Sequence, residues 1–166
     1  MKKVSMIVAV SDNQGIGLNN KLPWAHIKAD MAWFKKHTEG QVVVMGSKTY
    51  DSLPETFRPL PKRTNVVLTR GRARDAHLHL QGDPQNMLFN LASIYPDQDV
   101  FIIGGENIYR QFMPMVDRVI VTRVHQVVEA DAFLDIDQLM DSRYTKTTET
   151  IDTASGVTFQ IWERNT

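Results

Sequence analysis

The stretch Val42-Val43-Val44-Met45-Gly46-Ser47-Lys48-Thr49 decides the fold. Four consecutive apolar residues, most of them β-branched, favour a strand. Their hydrophobicity is continuous rather than alternating, which predicts a strand covered on both faces, as in a parallel sheet. Gly46 closes the run, and Ser47-Lys48-Thr49 opens a helix. The same order recurs at Phe101-Ile102-Ile103-Gly104-Gly105, with a helix expected from Gly105 through Ile108, Tyr109 and Phe112.

Apolar runs of this kind also lie at residues 4–10, 65–69, 100–103 and 119–124. Between them, residues 28–37 read as a helix with Met31 and Phe34 on one side and Trp33 and Lys36 turned away. Asp83-Pro84 reads as an N-cap and first-turn proline opening a helix through Met87, Leu88, Leu91 and Ile94. Residues 144–151 and 157–162 flank Ser155-Gly156 as an antiparallel hairpin. The expected fold is therefore an α/β domain whose mostly parallel, mixed sheet carries an antiparallel C-terminal edge and flanking helices. Its length of 166 residues fits one domain, 1–166, with a substantial core.

Composition narrows the function. Nineteen basic residues balance nineteen acidic ones, so no global field favours nucleic acid or an anionic membrane. The absence of cysteine removes disulfides, thiolate nucleophiles and cysteine metal sites, and fits a reducing cytoplasm. Met1-Lys2-Lys3 and the apolar run after it superficially suggest a signal peptide. That run turns polar at Ser11-Asp12-Asn13-Gln14, as a buried strand would. No run approaches the roughly 18 residues of a membrane span, and the histidines show no metal spacing.

Asp30 is the chemically suggestive residue. It lies between the loop Ile16-Gly17-Leu18-Asn19-Asn20-Lys21-Leu22-Pro23-Trp24 and the segment Met31-Ala32-Trp33-Phe34. A carboxylate facing such apolar surroundings shifts its pKa, holds a cationic or hydrogen-bonding ligand, or does both. On that segment alone, a solvated acid in the first turn of an amphipathic helix reads better; the rest of the chain reverses the choice.

Two phosphate motifs nearly appear. Gly15-Ile16-Gly17-Leu18-Asn19-Asn20 has Asn20 where a dinucleotide fingerprint needs its third glycine, and Ser47 interrupts a Walker-like Gly46-Ser47-Lys48-Thr49. Yet Gly46 before Ser47-Lys48-Thr49, Gly104-Gly105, and Thr69-Arg70 each place phosphate-friendly groups at a strand end. Singly each reads as a turn or cap. Together they point to a phosphorylated dinucleotide across the carboxyl edge of the sheet.

These segments resemble dihydrofolate reductase over essentially the full length. They are Ile16-Gly17-Leu18 with Leu22-Pro23-Trp24, then Asp30 and Phe34, and Val44-Met45-Gly46-Ser47-Lys48-Thr49-Tyr50. They continue with Arg58-Pro59-Leu60-Pro61-Lys62-Arg63-Thr64-Asn65, Ile102-Ile103-Gly104-Gly105-Glu106-Asn107-Ile108-Tyr109, and Thr122. The resemblance implies an eight-stranded mixed sheet and NADPH-dependent reduction of 7,8-dihydrofolate to tetrahydrofolate, a step of one-carbon metabolism and an antifolate target. It implies that Asp30 pairs with the pterin's amino group and ring nitrogen, supported by Thr122. Ile7, Val8, Phe34, Leu53 and Leu60 would line the pocket, and Arg63 would hold the glutamate α-carboxylate. Leu22 and Trp24 would belong to a mobile loop closing over the reacting rings. Ala9, Ile16, Gly46, Lys48, Thr49, Leu68, Thr69, Arg70, Gly104, Gly105 and Tyr109 would hold NADPH, with Lys48, Thr69 and Arg70 near its 2′-phosphate. The expected protein is a cytoplasmic monomer with a small-molecule substrate, no metal, and no nucleic-acid or membrane partner.

The chain also departs from the pattern. Ala25-His26-Ile27-Lys28-Ala29 is one residue longer than in many bacterial members, and Leu53-Pro54-Glu55-Thr56-Phe57-Arg58 is longer than the usual bacterial turn. Val8 stands where alanine is common, which predicts a narrower pocket beside the pterin. These changes predict weaker binding of diaminopyrimidine antifolates such as trimethoprim. Two other readings stay open: the related pyrimidine reductase of riboflavin synthesis, and a non-catalytic NADPH-binding protein.

Overall fold

The computed structural model describes residues 3–69 and 76–166. Its strands are β1 (Val4–Ser11), β2 (Gly15–Gly17), β3 (Val42–Gly46), β4 (Thr64–Leu68), β5 (Leu78–Leu80), β6 (Val100–Ile102), β7 (Arg118–Val124), β8 (Ala132–Phe133), β9 (Tyr144–Asp152) and β10 (Val157–Arg164). The α-helices are α1 (Lys28–Thr38), α2 (Ser47–Ser52), α3 (Pro84–Ile94), α4 (Glu106–Phe112) and α5 (Ile136–Met140).

Eight strands form one sheet in the order β5-β4-β3-β6-β1-β7-β10-β9, and β2 pairs with β8 in a separate ribbon. The pairings from β5 to β7 are parallel. β10 runs antiparallel to both β7 and β9. The mixed sheet with its antiparallel C-terminal edge is thus as expected. Val42, Val43, Val44 and Met45 are fully buried because opposite faces of the strand meet different clusters. Val42 and Val44 join Met6, Leu91 and Phe112, whereas Val43 and Met45 join Ile7, Phe101 and Ile120. Fully burying such a side chain contributes about 1.5–3 kcal/mol.

Local signals act where the sequence places them. Asp83 accepts the Gln85 backbone N–H at 2.8 Å, with Pro84 in the first turn of α3. β10 returns along β9 through the turn containing Gly156, whose φ of 70° suits glycine.

The expectation for α1 needs correction. Met31 is 44% exposed, while Trp33 stacks on Phe159 with ring centroids 4.6 Å apart. Phe34 packs partly buried on the cluster of Ile7 and Leu60. The inward stripe runs through Asp30, Trp33, Phe34, His37 and Thr38, the i, i+3, i+4, i+7 and i+8 positions of one helix face. Its first and last members are polar, which hides it from a purely apolar count.

Candidate active site

Ala9 of β1, Thr122 of β7 and Phe159 of β10 lie in one register row across the sheet. α1 covers this row, setting Trp33 on Phe159 and Asp30 on Thr122. The Thr122 hydroxyl donates to Asp30 Oδ1 at 2.7 Å. Asp30 is only 8% exposed, and Oδ2 has no hydrogen bond among the described residues. Burial holds this carboxyl above its ordinary value, with the Thr122 bond acting in the opposite direction. The result is a desolvated acid with an acceptor oxygen to spare.

Beside it, β1 and β6 stop pairing after Met6 and Ile102. The freed Ile7 carbonyl accepts the Tyr109 hydroxyl at 2.9 Å. Burial, with the Asp30 charge adding, raises the Tyr109 phenol, so it remains a neutral donor. Tyr109 in turn packs on Gly104, where an added Cβ would meet the ring at 3.3 Å and φ is +120°.

The strand-end glycines converge. Gly46 N–H donates to the Gly104 carbonyl at 2.9 Å. A Cβ on Gly105 would lie 3.6 Å from the Thr49 hydroxyl, and one on Gly46 would lie 3.2 Å from Ile108. Gly46, Thr49, Gly104, Gly105 and Tyr109 therefore share one cradle at the carboxyl edge. Lys48 is exposed and Thr69 half-buried nearby in chain order, while Arg70 falls outside the described residues. Leu68 and Ile16 pack against the cluster of Met6, Val8 and Leu91.

The opposite wall holds Ile7 and Leu60, with Phe34 and Leu53 packed partly buried on them. Asn65 fixes the turn carrying Leu60 and Arg63. Its amide accepts from Leu60 N at 2.8 Å and donates to the Leu60 and Arg63 carbonyls. Arg63 then bonds the Pro61 carbonyl at 2.8 Å and Thr38 Oγ1 at 3.2 Å, leaving Nη2 uncommitted among the described residues. Its guanidinium carbon lies 5.8 Å from the Phe34 ring centroid.

The loop between β2 and α1 is pinned at its tip. Asn19 and Asn20 have φ of 52° and 62°, the left-handed pair of a tight hairpin turn, closed by reciprocal Leu18–Lys21 bonds. Asp131 joins this turn to β8: its backbone N–H reaches the Gly17 carbonyl at 2.9 Å, and Oδ2 accepts from Asn19 N at 2.9 Å. Leu22 is 50% exposed, whereas Trp24 is buried against Val124, Val157 and Phe159. Trp24 is thus the fixed end of the loop. Asp131 and the structural role of Asn65 were not foreseen; the Asn19-Asn20 dipeptide was the available turn signal.

Val8 requires a correction. Alternation along β1 sends its side chain to the cluster of Val4, Met6 and Val10, away from the Ile7 face. Its β-branch does not narrow the pocket that Ile7 lines.

Sheet order, buried acid and glycine cradle together define an α/β protein built to hold small molecules along the carboxyl edge of a mixed sheet. A family model described as "Dihydrofolate reductase" matches residues 3–164. The chain is 36% identical over 129 residues to the dihydrofolate reductase of Haemophilus influenzae, spanning 78% of this chain and 76% of that one. It is 35% identical over 166 residues to that of Neisseria gonorrhoeae, spanning 96% and 95%. The Bos taurus protein of the same name is 36% identical over 154 residues, spanning 80% and 79%. The chain belongs to the dihydrofolate reductase family. Membership makes it an oxidoreductase that converts dihydrofolate to tetrahydrofolate.

Proposed function

We propose that the chain uses NADPH as reductant and Asp30 as the group that orients and promotes protonation of the pterin. The observation that carries this reading is the buried Asp30 carboxylate, held by Thr122 on one oxygen with the other uncommitted. A flat ring with an amino group beside a ring nitrogen matches that free oxygen and its neighbour as a paired donor edge. Ile7, Phe34, Leu53 and Leu60 supply the apolar walls, and Arg63 Nη2 is free for the tail's α-carboxylate.

The strand-end residues fit a dinucleotide. Side chains at Gly104 or Gly105 would fill the space beside Tyr109 and Thr49, and backbone N–H groups at the starts of α2 and α4 suit phosphate oxygens. Gly46, Thr49, Gly104, Gly105 and Tyr109 would hold the cofactor, with Ala9, Ile16 and Leu68 along it. Lys48, Thr69 and Arg70 would meet its 2′-phosphate. When bound, NADPH supplies the hydride.

The chain's own residues manage the proton and the solvent. Asp30 fixes the pterin and favours protonation of the nitrogen next to the acceptor carbon by a water that the loop admits. Leu22, at the exposed part of the loop, closes over the rings, while Trp24 anchors it. One domain acting as a cytoplasmic monomer, without metal, nucleic acid or membrane, completes the reading. The balanced charge supports it. No helix among the described residues is long and apolar enough to cross a membrane.

The test is the loss of NADPH absorbance when the purified protein meets dihydrofolate, run beside NADH and a ribosylaminopyrimidine. Turnover confined to the NADPH–dihydrofolate pair is expected. Equal use of NADH, or reduction of the pyrimidine alone, would overturn the reading.

A further inference from the structure

Glu106 follows the Gly104-Gly105 cradle directly and is the first residue of α4. An acid in the first turn of a helix suits the macrodipole, and that role needs no partner elsewhere in the chain. Glu106 has one. Its Oε1 accepts the backbone N–H of Phe133 in β8, 27 residues on, at 3.4 Å. Its Oε2 accepts Arg110 Nε, one turn along α4, at 3.3 Å, which holds the carboxylate in that pose. β8 is only Ala132 and Phe133. One end is tied to α4 by Glu106. The other continues into Asp131, whose N–H reaches the Gly17 carbonyl and whose Oδ2 accepts the Asn19 N–H. The short run of Phe133, Ala132 and Asp131 therefore leads from the glycine cradle to the tip of the loop between β2 and α1.

The ribbon that carries this run is closely packed. Phe133 pairs with Gly15 and Ala132 with Gly17, and the Leu134 N–H donates to the Gln14 carbonyl at 2.9 Å. A Cβ on Gly15 would lie 2.9 Å from Ala130 Cβ, and one on Gly17 would lie 3.3 Å from Ala132 Cβ. Strands in such contact move as a unit. Building on the NADPH reading, we infer that Glu106 is a positioning residue that couples the cofactor's hold on α4 to closure of the loop. A cofactor seated on Gly104, Gly105 and Tyr109 fixes the start of α4. Through Glu106 it fixes Phe133, and through Asp131 the loop tip. The coupling is reciprocal: the order that the cofactor gives the loop returns as affinity for the cofactor. Glu106 has no part in the chemical step.

The experiment measures the Kd of NADPH by tryptophan fluorescence for the parent, Glu106→Ala, Asp131→Ala and the double variant. Amide exchange at Asn19 and Asp131 is followed with and without NADPH. We expect each single variant to raise the Kd about threefold, the scale of one exposed hydrogen bond. The double variant raises it no further, because both substitutions cut one route. NADPH slows exchange of the Asn19 and Asp131 amides in the parent and much less in Glu106→Ala. Glu106→Gln separates the bond from the charge. Its amide oxygen still accepts the Phe133 N–H, so it keeps the parent's Kd and protection although the ion pair with Arg110 is gone. Effects that multiply in the double variant, or NADPH-dependent protection that survives Glu106→Ala, would overturn the inference. So would a Glu106→Gln protein that behaves like Glu106→Ala, which would leave Glu106 as a charge on the helix dipole alone. A folded parent that does not bind NADPH would mark failure of the cofactor reading itself, a separate outcome.

Discussion

Thr122 and Asp30, 92 residues apart in sequence, are joined by a 2.7 Å hydrogen bond across the floor of the cleft. Burial makes Asp30 a weaker acid than usual, and this bond restrains the effect. Thr122→Val keeps the side chain's shape and removes the donor. Asp30 then becomes weaker still, and the pH at which turnover declines moves upward. KM for dihydrofolate rises about fivefold, near the 1 kcal/mol of one hydrogen bond. An unchanged pH profile would separate Thr122 from the acid's function.

Gly104→Ala is expected to damage both stability and cofactor affinity. Its φ of +120° disfavours any Cβ, and the new methyl would press on Tyr109, whose hydroxyl is committed to the Ile7 carbonyl. The backbone penalty is about 1–3 kcal/mol. Urea unfolding and the KM for NADPH measure the two effects; a variant equal to the parent in both contradicts the cradle.

Asp131 holds the loop by two short bonds, from its N–H to Gly17 and from Asn19 N–H to its carboxylate. Asp131→Ala removes the second. Faster amide exchange across residues 16–24 and a turnover reduced by about three- to tenfold are expected, because closure sets the reacting geometry. The urea midpoint should barely move, since an exposed side chain is altered. Slower turnover without faster exchange would point elsewhere.

His37 lies edge-on to Trp33, ring centroids 4.3 Å apart, and its Nε2 is buried without a hydrogen-bond partner among the described residues. Burial pushes its pKa down to about 4 from 6.5, with Arg118 and Lys36 adding to the effect. A depressed histidine favours the neutral ring in the folded state. Its stabilising contribution is therefore intact above pH 6.5 and is lost as pH falls toward 4. His37→Phe keeps the ring and removes the titration, so its urea midpoint declines less steeply across that interval. Parallel declines in parent and variant would exclude His37 as the cause.

Much of the architecture was legible because its signals are local. The continuous valines at 42–44, the Asp83 cap and the turn at Gly156 each act within a few residues. β5 was missed: three half-buried residues with His79 between two leucines make no distinctive run. The β2–β8 ribbon was missed because its strands gain their identity only from each other, more than a hundred residues apart. Asp131 carries no mark in the sequence that predicts a bond to Asn19. Val8 is different. Simple alternation with Ile7 already places the two side chains on opposite faces, and that signal was available.

The most direct test of the account follows turnover of NADPH and dihydrofolate by the parent and by Asp30→Asn across pH. The variant also carries a built-in control for folding. A buried acid with a raised pKa loses stability as pH rises from its ordinary value through its folded one, and asparagine does not. The variant should therefore unfold at the same or a higher urea concentration at neutral pH, with any advantage fading as pH falls toward the ordinary value of 3.8 and absent below it. The account predicts a folded variant whose turnover is sharply reduced at neutral pH and partly restored as pH falls and the substrate protonates in solution. A folded variant that turns over like the parent at neutral pH would contradict it.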